Sequence, residues 1–253
     1  MLIDVPHAGT YIPDELATRL TSRAHTLPDT DWHVDRLYDF APDMGAGLLV
    51  ATHSRYVVDL NRAAENTPLY AGADNTEVCP TTDFEYHPLY ADREAPDANE
   101  VAARLARYWH PYHDRLAAEI AVLKERFGVA VVLDGHSIKS VLPRFFDGTL
   151  PDLNLGTAEG RSTDPGLRAS LFGLLNHANG FDAVCDGHFT GGHITRLYGK
   201  PDCGVHVVQL ELAQDAYLDE TDPACFDGPR AAALVAVLKR VAAHLLDWTD
   251  SRR

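Results

Sequence analysis

The chain has 253 residues, 45% of them hydrophobic, and a formal net charge of -15. That apolar fraction suits one large α/β domain over residues 1–253, and the acidity argues against nucleic acid or an anionic membrane surface as partner. Four scattered cysteines (Cys79, Cys185, Cys203, Cys225) without CxxC spacing suggest neither a disulfide framework nor a cysteine metal site. With no leader-like start and no apolar run of about 18–20 residues, the expectation is a soluble, cytoplasmic protein. It would act on a small molecule, as a monomer or a homo-oligomer.

Residues 1–6 read as a first strand that ends in a polar cluster at Pro6, His7, Ala8 and Gly9. Residues 13–20 predict a short helix. Residues 27–40 (LPDTDWHVDRLYDF) predict a longer one, with Asp29, Thr30 or Asp31 as N-cap and an apolar stripe at Val34, Leu37 and Tyr38. Residues 47–53 and 56–60 read as two extended pieces. From 61 to 95 the composition turns to Pro, Gly, Asn, Thr and Asp, a long ordered loop of the kind that carries function. Asp97, with Glu100 three positions on, opens a helix running to Gly128 with Pro111 as a kink. Next comes VAVVLDGHS at 129–137, a continuous apolar run stopping at Asp134, Gly135 and His136. It reads as a strand buried on both faces of a mostly parallel sheet.

Residues 140–162 look irregular. Asp164 and Pro165 form an N-cap and N1 pair starting a helix that ends near Gly180. Residues 183–185 and 205–212 predict strands, separated by a glycine-rich loop, GGHITRLYG. Gly228 and Pro229 start a last amphipathic helix to about Trp248. The sum is one α/β domain with a mixed, mostly parallel sheet flanked by helices.

In such sheets functional groups gather beyond the carboxyl ends of the strands. His7 and His136 stand at two such ends, and Glu211 interrupts an apolar strand, where a carboxylate is costly unless paired or functional. Two histidines and a carboxylate form the ligand set of hydrolytic zinc, with a second carboxylate as general base for water. Asp35 and Asp31, four apart on the predicted helix, are the candidates for the third ligand. Arg55, Asn61 and Arg62 suit capture of a carboxylate and polarisation of a carbonyl. Arg196 is a further anion-binding candidate. His110 and His113 read as surface or packing residues, and His188 and His193 remain without a role. Ser137 does not sit in a GxSxG elbow, and no GxGxxG motif is present.

The motifs PHAG (6–9), DTDWHVDRLYDF (29–40), SRYVVDLNR (54–62), DGHS (134–137), PDLNLGT (151–157), GGHITRLYG (191–199) and VQLELAQ (208–214) together resemble the N-formylglutamate amidohydrolase family, in order and over nearly the whole chain. The resemblance implies a fold like that of zinc carboxypeptidases and aspartoacylases. The implied reaction is zinc-dependent hydrolysis of N-formyl-L-glutamate to L-glutamate and formate, the last step of a histidine-degradation route. It implies His7, His136 and Asp35 as zinc ligands, with Asp31 as the alternative to Asp35. Glu211 would be the general base, Arg55 the arginine that polarises the carbonyl, and Asn61 with Arg62 the substrate-carboxylate clamp, joined by Arg196. Two rival expectations are a zinc amidohydrolase of another N-acyl acidic amino acid, such as N-acetylaspartate or N-acetylglutamate, and a non-catalytic acidic amino-acid binding protein.

Overall fold

The structure, a computed structural model, describes residues 1–68 and 74–252. Its centre is a six-stranded sheet in the order β2-β1-β3-β6-β4-β5. The strands are β1 (Leu2–Val5), β2 (Gly47–Val50), β3 (Ala130–Ile138), β4 (Leu153–Gly156), β5 (Ala183–Cys185) and β6 (Val205–Ala213). Every neighbouring pair is parallel except β4 and β6. The expected mixed, mostly parallel sheet is therefore present, with its antiparallel step beside β6.

Strand alternation assigns each face its task. On one face Val131 and Leu133 of β3 and Val208, Leu210 and Leu212 of β6 join the main core. There they meet Leu167, Leu171 and Leu175 of α5 (Pro165–Asn176) and Leu234, Leu238, Val241 and Leu245 of α7 (Gly228–Asp250). On the other face Ala130, Val132, Val205 and Val207 pack on Leu116 and Ile120 of α4 (His110–Phe127). Followed toward the carboxyl ends, this second stripe changes from apolar to Asp134 and His136 on β3 and to Gln209 and Glu211 on β6. The chemistry thus continues a core-packing face beyond the reach of α4.

Several elements differ from the sequence reading. The apolar run does not stop at Asp134: β3 continues through His136 to Ile138, buried throughout. Gly135 admits the ring of Tyr38, since a Cβ there would lie 2.7 Å from its Cε2. The helix predicted over 13–20 is a single turn, α1 (Asp14–Ala17), and that over 27–40 likewise reduces to α2 (Val34–Leu37). Leu27 and His33 adopt left-handed backbone conformations (φ 52° and 63°) that interrupt helical progression. Val34, Leu37 and Tyr38 are nonetheless buried as expected. Residues 56–60 are buried but form turns rather than a strand. The side chains of Ser54 and Asp59 accept from the backbone N–H groups of Tyr56 and Asn61, offering the chain an alternative to a ladder.

The glycine-rich stretch contains a short helix, α6 (His193–Tyr198), bounded by Gly192 and Gly199. β4, which lies inside the stretch that looked irregular, inserts Leu153 and Leu155 into the core. The helix opened by Asp97 has the expected N-cap, Asp97 accepting from Glu100 N–H at 2.8 Å. It passes through α3 (Ala98–Arg104) and one wider π turn (Leu105–Trp109) before α4, so the irregularity attributed to Pro111 falls just ahead of it. Among the described residues no helix is long and apolar enough to cross a membrane.

Candidate active site

At the carboxyl ends of β1, β3 and β6, His7, Asp31 and His136 converge, each buried. One ligand atom from each lies within 4.8 Å of the others. His7 sits two residues past β1, and His136 is carried by β3. Asp31 comes from the loop ahead of α2, anchored by its N–H to the His7 carbonyl (3.2 Å) and by Gln214 Nε2 donating to the Thr30 carbonyl (2.8 Å). Its carboxylate oxygen Oδ2 accepts from Ser137 N–H at 3.1 Å and lies 2.9 Å from His136 Nδ1 and 3.8 Å from His7 Nδ1.

The remaining ring nitrogens face carboxylates. His7 Nε2 is 2.8 Å from Asp59 Oδ1, and His136 Nε2 is 2.9 Å from Asp134 Oδ1. Asp59 behind the His7 ring fixes its orientation and tautomer. Behind His136, Nε2 faces both Asp134 and the Asn61 amide, and both Nδ1 atoms are directed toward Asp31. Two imidazole nitrogens and one carboxylate, buried and held from behind, form a donor set that fits a divalent transition metal. Asp35 does not join it. With no helix over 27–40, the i, i+4 relation disappears. Asp31 lies inward before α2, whereas Asp35 is partly exposed on its first turn.

Charge is concentrated around this set. Burial raises the Asp59 pKa, but His7 and Arg55 outweigh it and hold the carboxyl well below its ordinary range. His7 is shifted down by burial and by Arg55. His136 moves oppositely: burial opposes its charge, yet Asp134 and Asp31 on its two nitrogens hold it well above the usual imidazole value. Asp4, register partner of Asp134 across β1 and β3, is raised well above its normal value by burial and by Asp134, and Tyr112 donates to it at 2.6 Å.

Glu211 is the register neighbour of His136 on β6 and is buried. Burial raises its pKa to about 7, so it can accept a proton near neutrality. Gln209, on the same face two residues earlier, donates Nε2 to Glu211 Oε2 (3.0 Å) and accepts from Gly192 N–H (2.6 Å). Sequence reading overlooked Gln209 and Asp59, and it noticed Asp134 at the strand end without assigning it a role. The signal for both aspartates was the one applied to Glu211, an acid interrupting an apolar run.

Arg55 is buried and committed to carboxylates: Nη2 donates to Asp59 (2.8 Å) and Nη1 to Asp31 (3.4 Å) and to the Asp29 carbonyl (3.2 Å). It borders the cavity, yet its bonds tie it to the histidine partners. Asn61 has a comparable place, with Nδ2 2.8 Å from His136 Nε2 and Oδ1 accepting from Ile194 N–H (2.8 Å). The close approach requires Gly192, where a Cβ would fall 2.3 Å from the amide. Arg62 donates to Thr76 Oγ1 (3.2 Å) and Arg196 to Thr190 Oγ1 (2.9 Å).

His7, Asp31, His136, Glu211, Arg55, Asn61, Arg62 and Arg196 all border one cavity of about 560 Å³. Arg144 and His188 border it too, and no sequence signal marked Arg144. His113 is stacked on Trp109 (3.7 Å) and bonded to the Leu60 carbonyl, a packing position. His193 opens α6 outside the cavity lining.

Comparison with known proteins agrees with this architecture. Residues 1–218 match the model of the N-formylglutamate amidohydrolase family. The chain is 46% identical over 252 residues to an N-formylglutamate deformylase of Pseudomonas putida, and 48% identical over 252 residues to one of Pseudomonas aeruginosa. Each match covers 100% of this chain and 94% of the relative. A crystal structure of N-formylglutamate amidohydrolase from Ralstonia eutropha JMP134 superposes with a TM-score of 0.81 at 25% identity, over 96% of this chain and 92% of that one. A gene product of Agrobacterium tumefaciens at 20% identity (TM-score 0.69, over 96% of this chain and 90% of that one) shares the fold. The chain belongs to the N-formylglutamate amidohydrolase family.

Proposed function

We propose that this family member hydrolyses N-formyl-L-glutamate to L-glutamate and formate, with a divalent metal, zinc first, held by His7, Asp31 and His136. The observation that carries the reading is the pair of imidazoles converging on Asp31, each with a carboxylate behind it, beside the buried acid Glu211 and within a cavity that several arginines border. Bound there, the metal would supply Lewis acidity, lowering the pKa of water and polarising the formyl oxygen. Asp59 and Asp134 keep the two rings oriented. Glu211, steadied by Gln209, takes the proton from the attacking water at Oε and returns it to the departing amine nitrogen. Arg55 contributes positive charge beside the reacting carbonyl while fixing Asp31 and Asp59. Arg62, with Asn61 adjoining and Arg196 on the same cavity, offers guanidinium donors to substrate carboxylate.

The relatives' activity and the family membership support this substrate. Its place at the end of histidine degradation rests on the family resemblance. Kinship with zinc carboxypeptidases and aspartoacylases is supported by the way a mixed sheet gathers two histidines and an acid at its strand ends. The test is L-glutamate release by purified protein from N-formyl-L-glutamate, with formate as its co-product, and from N-acetyl-L-glutamate, before chelation, after it and after zinc is restored. Metal-dependent release with the acetyl compound much poorer is expected. Release unaffected by chelation would remove the metal from the reading.

A further inference from the structure

One cavity-lining cation is unaccounted for by the cluster below it. Arg144, between β3 and β4, has a side chain only 6% exposed. It meets Asp74 through two parallel bonds, Nε to Oδ2 and Nη2 to Oδ1, each 3.1 Å. Nη1 donates to the Asp83 carbonyl at 2.9 Å. The guanidinium lies 4.3 Å from the Tyr86 ring centroid and 5.4 Å from that of Phe145. Phe145 in turn meets Phe84 edge-on at 5.0 Å, and both rings face the cavity. Asp74 borders the same cavity, but its side chain is 38% exposed, and the Tyr86 hydroxyl donates to it.

A guanidinium this buried requires a countercharge. Here the countercharge is a carboxylate in the two-pronged geometry by which arginine binds free carboxylates. It is presented by an exposed side chain rather than a buried one, so a ligand carboxylate can replace it without leaving the arginine uncompensated. Phe84 and Phe145 offer apolar surface beside the charge, matching two methylenes that end in an acid. An N-formylated acidic amino acid carries two carboxylates, and Arg62 with Arg196 accounts for one.

We propose that Arg144 receives the side-chain carboxylate of an N-formylated acidic amino acid, and that Asp74 is the exchangeable acid that it displaces. The inference rests on the substrate class proposed above. Kinetics of the full-length, metal-loaded protein with N-formyl-L-glutamate and with N-formyl-L-glutamine, nearly isosteric and lacking the side-chain charge, test it. Arg144→Gln should raise KM for the glutamate compound about ten- to a hundredfold, the range of a charge-assisted bond. The rise for the glutamine compound should be far smaller, so the preference between the two collapses, and Arg144→Lys should fall between. Asp74→Asn, at an exposed site, should lower KM for N-formyl-L-glutamate, because the competing acid is gone.

Equal KM increases for both substrates in Arg144→Gln would overturn the assignment. A raised KM in Asp74→Asn would show a fixed support rather than an exchangeable occupant and overturn that half. If the parent protein releases formate from neither compound, the substrate reading falls and this inference falls with it. If the parent prefers the glutamate compound and the variants keep that preference, only the inference fails.

Discussion

The floor and the wall of the cavity use the same chemical groups differently. On the floor, carboxylates, imidazoles and the Arg55 guanidinium are all buried, and each imidazole is held between acids. On the wall, Arg144 is paired with an exposed acid, and Arg62 and Arg196 donate to the hydroxyls of Thr76 and Thr190. A buried pair that loses one member leaves an uncompensated charge, whereas an exposed acid is screened and replaceable. Low replaceability suits groups that must hold their geometry through every turnover. Exchangeable partners suit groups that must accept and release a charged ligand. The comparison predicts that floor substitutions act on metal retention and kcat, and wall substitutions on KM.

The largest effect should come from Glu211→Gln. Loss of a general base costs about 10²–10⁴ in rate, and steady-state kinetics should show the loss in kcat, with metal content and KM near the parent values. An unchanged kcat would move the base elsewhere. Asp59→Asn comes next. It leaves His7 without its orienting acid, and chelator competition should show metal affinity about 10–100-fold weaker, the usual cost of such a partner. Retained affinity would mean that Asp59 serves Arg55 rather than His7. Arg62→Ala should raise KM about tenfold or more through loss of a charge-assisted contact, with the smaller change in kcat. A loss confined to kcat would erase the distinction between floor and wall.

Much of this floor was legible in the sequence because buried strands announce themselves as apolar runs, and polar residues that interrupt them must be explained. His7, His136 and Glu211 were found that way, and the same rule applied to LIDV, YVVDL and VVLDG marks Asp4, Asp59 and Asp134. Asp35 was preferred over Asp31 as the acid beside the histidines for a local reason. The stripe of Val34, Leu37 and Tyr38 has helical spacing, but the left-handed backbone at Leu27 and His33 cannot be read from that spacing, so Asp31 and Asp35 were put on one helix face. β4 was missed because its four residues, Leu153–Gly156, are too few to display a period. Arg144 was silent because it comes from the irregular segment between β3 and β4, where position is set by tertiary packing rather than by pattern.

The smallest effect separates two acids within the floor. Asp59 is held below its ordinary pKa, so its contribution to stability is present above that ordinary value and lost as pH falls through the folded one. Glu211 has the opposite sign. Its folded value of about 7 lies above the reference 4.5, so the stability linked to its protonated form is complete below 4.5 and disappears as pH rises through about 7. Glutamine resembles the protonated acid at every pH and can still accept the Gln209 amide. In the metal-free protein, Glu211→Gln should therefore melt at a higher temperature than the parent at pH 8, by a few degrees, with the gap narrowing toward pH 5. Thermal melts of both proteins across that window check it. A gap independent of pH would mean that the floor compensates the charge of Glu211 as it does that of Asp59, leaving no poised base beside the two histidines.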